Sequence, residues 1–189
     1  MKIILCRHGL PCPENSPSAL FLNSQQLAQW VDHYNASAVS REHQPSEKTL
    51  ETLQRCRLLV ASDLNRSIDS CQLLDKDINH VDVLFREAGF PVPQNNFLSL
   101  PLGVWLMSLR LLWVLGYSVN SESYKEAKSR ATEASKKLQH MAIKHDSVGL
   151  MGHGIMNRLI ASNLIAAGWR KTESAQERTY WGFSVFEKQ

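Results

Sequence analysis

Two short stretches of this chain carry side chains suited to chemistry. Arg7-His8-Gly9 follows the apolar run Ile3-Ile4-Leu5, and Gly152-His153-Gly154 follows a second apolar run far along the chain. An imidazole is a nucleophile or proton carrier near neutral pH. An arginine presents a planar fork that fits phosphate oxygens, and glycines on either side allow close backbone approach and unusual dihedrals. A third stretch, "ASDLNRSIDS", follows the run Leu58–Ala61 and puts Arg66 on the first turn of a helix. A fourth, "VLFREAGFP", puts Glu87 just past another short run. Two histidines, two arginines and one carboxyl group around a cavity suit phosphoryl transfer. There the transition-state charge spreads over phosphate oxygens, and positioning and electrostatics do most of the catalysis. A neutral histidine attacks, and Glu87 supplies the proton that the leaving oxygen needs.

The elements that must hold these groups can be read from hydrophobic period. Strands are expected at Lys2–Cys6, Leu58–Ala61, Val81–Phe85, Ser147–Met151 and Gly182–Glu187. Helices are expected at Gln25–Tyr34, after "ASDLN", where Ser62, Asp63 or Asn65 could cap, and after Gly154, ended by a left-handed turn at Gly168. A long helix is marked by the stripe Tyr124, Ala127, Ala131, Ala134, Leu138 and Met141. "PENSPS" and "EHQPSEK" read as surface loops. Strands alternating with helices give an α/β fold, a three-layer sandwich with a largely parallel central sheet flanked by helices. In such sheets ligands bind beyond the carboxyl ends of the strands. His8 and His153 meet there if their strands are neighbours, and the helix after Gly154 offers N–H groups to an anion.

The bulk properties narrow the function. The 189 residues suit a single domain, here with an apolar helical insertion around 97–117. A net charge of +3 with no basic run excludes a polyanion-binding surface, so no nucleic-acid partner is expected. The N-terminal apolar run is too short for a signal peptide. The four cysteines show no C-x-x-C spacing, which fits a reduced, cytoplasmic protein. Cys6, His8 and Cys12 raise a metal question, but no second ligand pair follows, so no metal is assigned. His33, His43, His80, His140 and His145 are given no role, and the five tryptophans read as core or interface.

The segment "FLSLPLGVWLMSLRLLWVLGYSV" is apolar nearly all round from Val104 to Leu115, broken by Ser108 and Arg110. Its runs are too short to span a bilayer, so no integral membrane span is expected. It reads as a buried helix or one packed in a homodimer. A lid over the site or an interfacial membrane contact is the alternative.

Taken in order, these motifs resemble the histidine phosphatase superfamily, whose relatives include the cofactor-dependent phosphoglycerate mutases. Arg7-His8-Gly9 matches its opening motif, and Ser62, Leu64 and Arg66 match its Ser-x-Leu-x-Arg signature. Glu87 matches its acidic residue after a later strand, Glu122, Ser123 and Arg130 match a Glu-Ser pair with a following arginine, and Gly152-His153-Gly154 matches its closing motif. The resemblance implies a phosphoglycerate mutase-like fold and a phosphatase that works through a phosphohistidine on His8 without metal or cofactor. Its substrate would be a small phosphorylated molecule or a phosphoprotein. Glu87 would be the proton donor, His153 would act beside His8, and Arg7, Arg66, His153 and Gly154 would bind the phosphate. Departures lie around Leu10-Pro11, Asn65 and Ser67, and after Gly89, where "FPVPQNN" and the apolar helix replace the family's usual stretch. The alternatives are mutase-type phosphoryl transfer, which lacks its usual sequence extension here, and a phosphate-binding module with weak turnover.

Overall fold

The computed structural model describes residues 1–12, 21–94 and 97–189; the "PENSPS" stretch lies outside them. Strand β1 (Lys2–Arg7) buries Ile3 and Leu5 on one face and Ile4 and Cys6 on the other. A strand covered on both faces reads as a continuous apolar run, which is why its sequence shows no alternation. It pairs in parallel with β6 (Ser147–Gly152) and antiparallel with β8 (Phe183–Glu187). Beyond β6 lie β3 (Leu58–Ala61) and then β4 (His80–Val81), both parallel; beyond β8 lies β7 (Arg170–Ala175), antiparallel to it. The sheet order is therefore β4-β3-β6-β1-β8-β7.

Helices cover both faces. Helix α5 (Tyr124–His145) contributes Ala131, Ala134 and Leu138, and α6 (Gly154–Ala166) contributes Met156, Ile160 and Leu164, to the core against Ile3, Leu5 and Leu150. On the other face α2 (Glu47–Gln54) and α3 (Asn65–Leu73) bring Leu53 and Cys71 against Ile4, Cys6 and Met151. Small alanines let α5 lie close to the sheet, and its start is fixed by a capping box between Ser123 and Glu126. Helix α1 (Ser24–Ala36) starts with a similar box, Asn23 with Gln26, and joins α4 (Leu102–Val114) in a smaller cluster around Leu22, Leu27, Trp105 and Leu109. A two-stranded ribbon, β2 (Phe21–Leu22) with β5 (Leu100–Pro101), ties these two helices together.

Four expectations change. The strand expected over Val81–Phe85 ends at Val81: the Asp82 side chain accepts from the Leu84 amide (2.9 Å) and starts a 3-10 turn, Val83–Phe85. That turn drops Phe85 into the core and aims the following residues at the sheet's carboxyl edge. "EHQPSEK" is not wholly loop, because Ser46 caps α2 from Glu47 onward. β7 has no apolar alternation and carries its exposed polar residues as an edge strand, so its period was silent. Finally, α4 is not buried all round. Trp105, Leu109 and Trp113 are covered, and the Trp105 and Trp113 indoles donate to the carbonyls of Leu22 (2.7 Å) and Glu122 (2.8 Å). Met107, Leu111 and Leu115 remain 71%, 62% and 74% exposed, so one face has no cover within the described chain. Among the described residues, no helix is long and apolar enough to cross a membrane.

Candidate active site

The register of β1 and β6 decides the geometry. Arg7 pairs with Gly152, so the next residues, His8 and His153, stand side by side past the strand ends. Their ring centroids are 5.0 Å apart. β3 lies on the other side of β6, and its exit into α3 brings Arg66 to the same edge, where its Nε–H donates to His8 Nε2 (3.3 Å). Two serines pin α3 in place. Ser67 Oγ donates to the Met151 carbonyl and accepts from the Ser62 amide, while Ser70 Oγ accepts from the Gly9 amide (2.8 Å). Gly9 is needed for close approach rather than for an unusual dihedral, since a Cβ there would lie 2.6 Å from both Trp181 and Val39. Gly154 has ordinary space around it: a Cβ would stand 3.7 Å from both Arg7 Nε and Glu87 Oε2.

Hydrogen bonds assign the protons. His8 Nδ1 lies 2.7 Å from the Gly9 carbonyl, which can only accept, so Nδ1 carries the hydrogen and Nε2 keeps its lone pair. Burial drives the His8 pKa down to about 3; the Arg66 and Arg7 guanidinium charges add to this, against the Gly9 hydrogen bond. His153 Nε2 lies 2.6 Å from Ser62 Oγ, which already accepts from the Leu64 amide (3.4 Å). When the serine hydroxyl donates to Nε2, Nδ1 carries the ring proton and is free to donate. Burial first, then His8, Arg66, Arg7 and Arg130, hold His153 well below the usual imidazole range. Both rings are neutral.

His153 Nδ1 and Arg7 Nε are buried and have no hydrogen-bond partner among the described residues. Arg7 is steadied from behind by an Nη1–H donated to the Arg178 carbonyl (3.1 Å). Glu87 faces this group from the β4 side. Its Oε1 accepts from the amides of Ala88 (3.0 Å), Ile155 (3.2 Å) and Met156 (3.0 Å), whereas Oε2 accepts, among the described residues, from Ile155 alone (3.1 Å). The α6 amides expected to serve an anion directly are thus taken, at Ile155 and Met156, by Glu87. The Glu87 loop is gripped from two sides. Arg130, ion-paired with Glu122, donates to the carbonyls of Leu84 (3.0 Å) and Arg86 (2.7 Å), and Arg110 donates to those of Ala88 and Gly89 (both 3.3 Å).

A tyrosine pair roofs the centre. The Arg7 guanidinium lies over the Tyr180 ring at 4.2 Å from its centroid, and the Arg66 guanidinium over the Tyr34 ring at 4.9 Å. Burial first, then the neighbouring Tyr180 phenol, raise the Tyr34 pKa. Beneath them His8, Arg66 and His153 are only 2%, 1% and 0% exposed.

The six residues named from sequence, Arg7, His8, Arg66, Glu87, His153 and Gly154, are therefore brought together at one sheet edge. Tyr34, Tyr180, Ser67, Ser70, Arg110 and the contact of Ser62 with His153 went unseen. Only the Ser62 motif carried a signal; Tyr34 and Tyr180 are far apart in sequence and follow no spacing rule.

No family model and no curated protein sequence matches this chain. Its fold matches solved structures. One is the product of an open reading frame, Rv3214, of Mycobacterium tuberculosis, with 15% identity, 87% of this chain and 79% of that chain covered, and a TM-score of 0.58. Another is a mycobacterial glucosyl-3-phosphoglycerate phosphatase, with 16% identity, 87% and 79% covered, and a TM-score of 0.55. A third is a histidine-to-alanine mutant of Entamoeba histolytica phosphoserine phosphatase in complex with phosphoserine, with 12% identity, 97% and 89% covered, and a TM-score of 0.54. At such identities the likeness establishes the architecture, a mostly parallel sheet between helical layers.

Proposed function

We propose that this chain, which has the fold of the histidine phosphatase superfamily, hydrolyses phosphomonoesters through a phosphohistidine on His8. One observation carries the reading. A neutral, buried His8, whose Nε2 lone pair accepts from Arg66 Nε, lies beside two further buried nitrogens, Arg7 Nε and His153 Nδ1, that have no protein partner among the described residues. Such donors match the equatorial oxygens of a phosphoryl group. The phosphatases among the solved structures of the same fold support the reaction class.

His8 Nε2 attacks phosphorus as the bond from phosphorus to the ester oxygen breaks. Glu87 Oε2, the less engaged oxygen, gives its proton to that oxygen, and the alcohol leaves. The Gly9 carbonyl, held on Nδ1–H, supports the positive charge that grows on the ring. Water then attacks the phosphohistidine, Glu87 takes its proton, and the N–P electron pair returns to His8. Arg7, Arg66 and His153 hold the phosphoryl oxygens throughout, so no metal ion is needed for charge.

Hydrolysis of p-nitrophenyl phosphate by the wild-type chain and by His8→Ala, each in excess EDTA, tests this. The wild type should turn over and His8→Ala should not. Activity restored only by a divalent ion, or retained in His8→Ala, would overturn it.

A further inference from the structure

Beside Arg66 and Glu87 the molecule opens into a cavity of about 790 Å³, far larger than a phosphate needs. We infer that this cavity selects phosphomonoesters whose alcohol carries a flat, uncharged aromatic ring, and disfavours those whose alcohol carries a carboxylate. The inference rests on the phosphatase reading above and names its substrate class.

The shape comes from the walls. Trp30 and Tyr34, one helical turn apart on α1, stack with centroids 5.2 Å apart and planes 20° apart. Val31, Phe90 and Val92 add apolar wall. A broad aromatic face next to aliphatic groups takes a flat ring by stacking and burial. Tyr34 also carries the Arg66 guanidinium, so the same wall runs from the phosphate site to the open cavity.

The charge comes from what lines the cavity. Arg66 belongs to the phosphate and to His8. Arg86 is held by Asp63 in a two-point ion pair. Asp32 lines the cavity, is exposed, and has no ion-pair partner among the described residues. The two segments outside the described residues, 13–20 and 95–96, contain no lysine or arginine. A second anionic group on the alcohol would therefore meet Asp32 and Glu87, while the basic side chains that line the cavity among the described residues, Arg66 and Arg86, are already engaged.

Three primary alkyl esters with the same leaving chemistry test this: adenosine 5′-monophosphate, ribose 5-phosphate and 3-phosphoglycerate. The value of kcat/KM should be about tenfold higher for adenosine 5′-monophosphate than for ribose 5-phosphate, and lowest for 3-phosphoglycerate. Trp30→Leu should bring the first ratio close to one. Asp32→Lys, at an exposed position that should not disturb folding, should raise 3-phosphoglycerate relative to ribose 5-phosphate by about fivefold. A best rate with 3-phosphoglycerate, or no ring preference in the wild type, would overturn the inference while leaving the phosphatase reading intact. Failure of every ester, p-nitrophenyl phosphate included, would refute that reading and this inference with it.

Discussion

His8, Arg66 and His153 stand at the ends of three adjacent parallel strands, whereas Trp30, Tyr34 and Phe90 stand on a helix and a loop beside the sheet. The first set is fixed by sheet register and by serine hydroxyls that reach backbone groups. The second is fixed mainly by side-chain packing, Trp30 and Phe90 in the small cluster around Leu27 and Trp105, and Tyr34 against Arg66. Register leaves little room for drift, because a one-residue slip would send every side chain to the other face. Packing tolerates substitution of similar volume. A fold can therefore keep its histidine–arginine centre and exchange its cavity, and on the proposed reading specificity lies in the region that the sheet does not dictate.

The contrast predicts two kinds of mutant. Changes at the strand ends should slow every ester alike; changes in the cavity should alter ratios between esters. Arg66→Ala should have the largest effect, a loss of about 10³-fold in kcat on every ester, as removal of one charge-stabilising donor does. A loss confined to ring-bearing esters would break the division, since Arg66 also touches Tyr34. Glu87→Gln comes next and lies on the border. It should slow alkyl esters by at least about 10²-fold while barely slowing phosphorylation of the enzyme by an aryl ester, whose oxygen leaves as a stabilised anion. Equal slowing of both would mean that the proton comes from elsewhere. Ser62→Ala should cost about tenfold, through a His153 ring no longer held in one tautomer, with no change in ring preference. A changed preference would place Ser62 functionally in the cavity.

A separate effect is on stability. His8 and His153 are neutral when folded, with pKa values below the ordinary 6.5. The unfolded chain therefore binds protons first as pH falls, and stability that is fully present above about pH 6.5 is lost below it. The slope is about 1.4 kcal/mol per pH unit for each imidazole, continuing for His8 down to about pH 3. Urea midpoints at pH 7.5 and 5.5 should show the fall, and His8→Asn should reduce it. An unchanged fall in His8→Asn would mean that the His8 ring already binds a proton in the folded chain.

The histidine–arginine centre was legible because each histidine directly follows an apolar strand and Arg66 opens the helix after another. Arg7-His8-Gly9 and Gly152-His153-Gly154 announce both the chemistry and the element that places it. The outer strand was misjudged because Asp82 turns the chain by a side-chain hydrogen bond that apolar period does not register. β7 was missed because an edge strand needs no buried face. The tyrosine roof and the cavity wall come from α1, the Glu87 loop and the approach to β8, which meet only in three dimensions. The half-covered α4 shows the limit in another way: an all-apolar pattern gave the helix but not which face the chain would cover.

The central claim is that His8 carries the phosphoryl group. Glu87→Gln, mixed with radiolabelled phenyl phosphate and quenched in base, should hold the label long enough to be mapped, because water attack needs Glu87. The account predicts an acid-labile, base-stable phosphate on His8 and no label in His8→Ala. Label on any other residue, or undiminished turnover by His8→Ala, would contradict it.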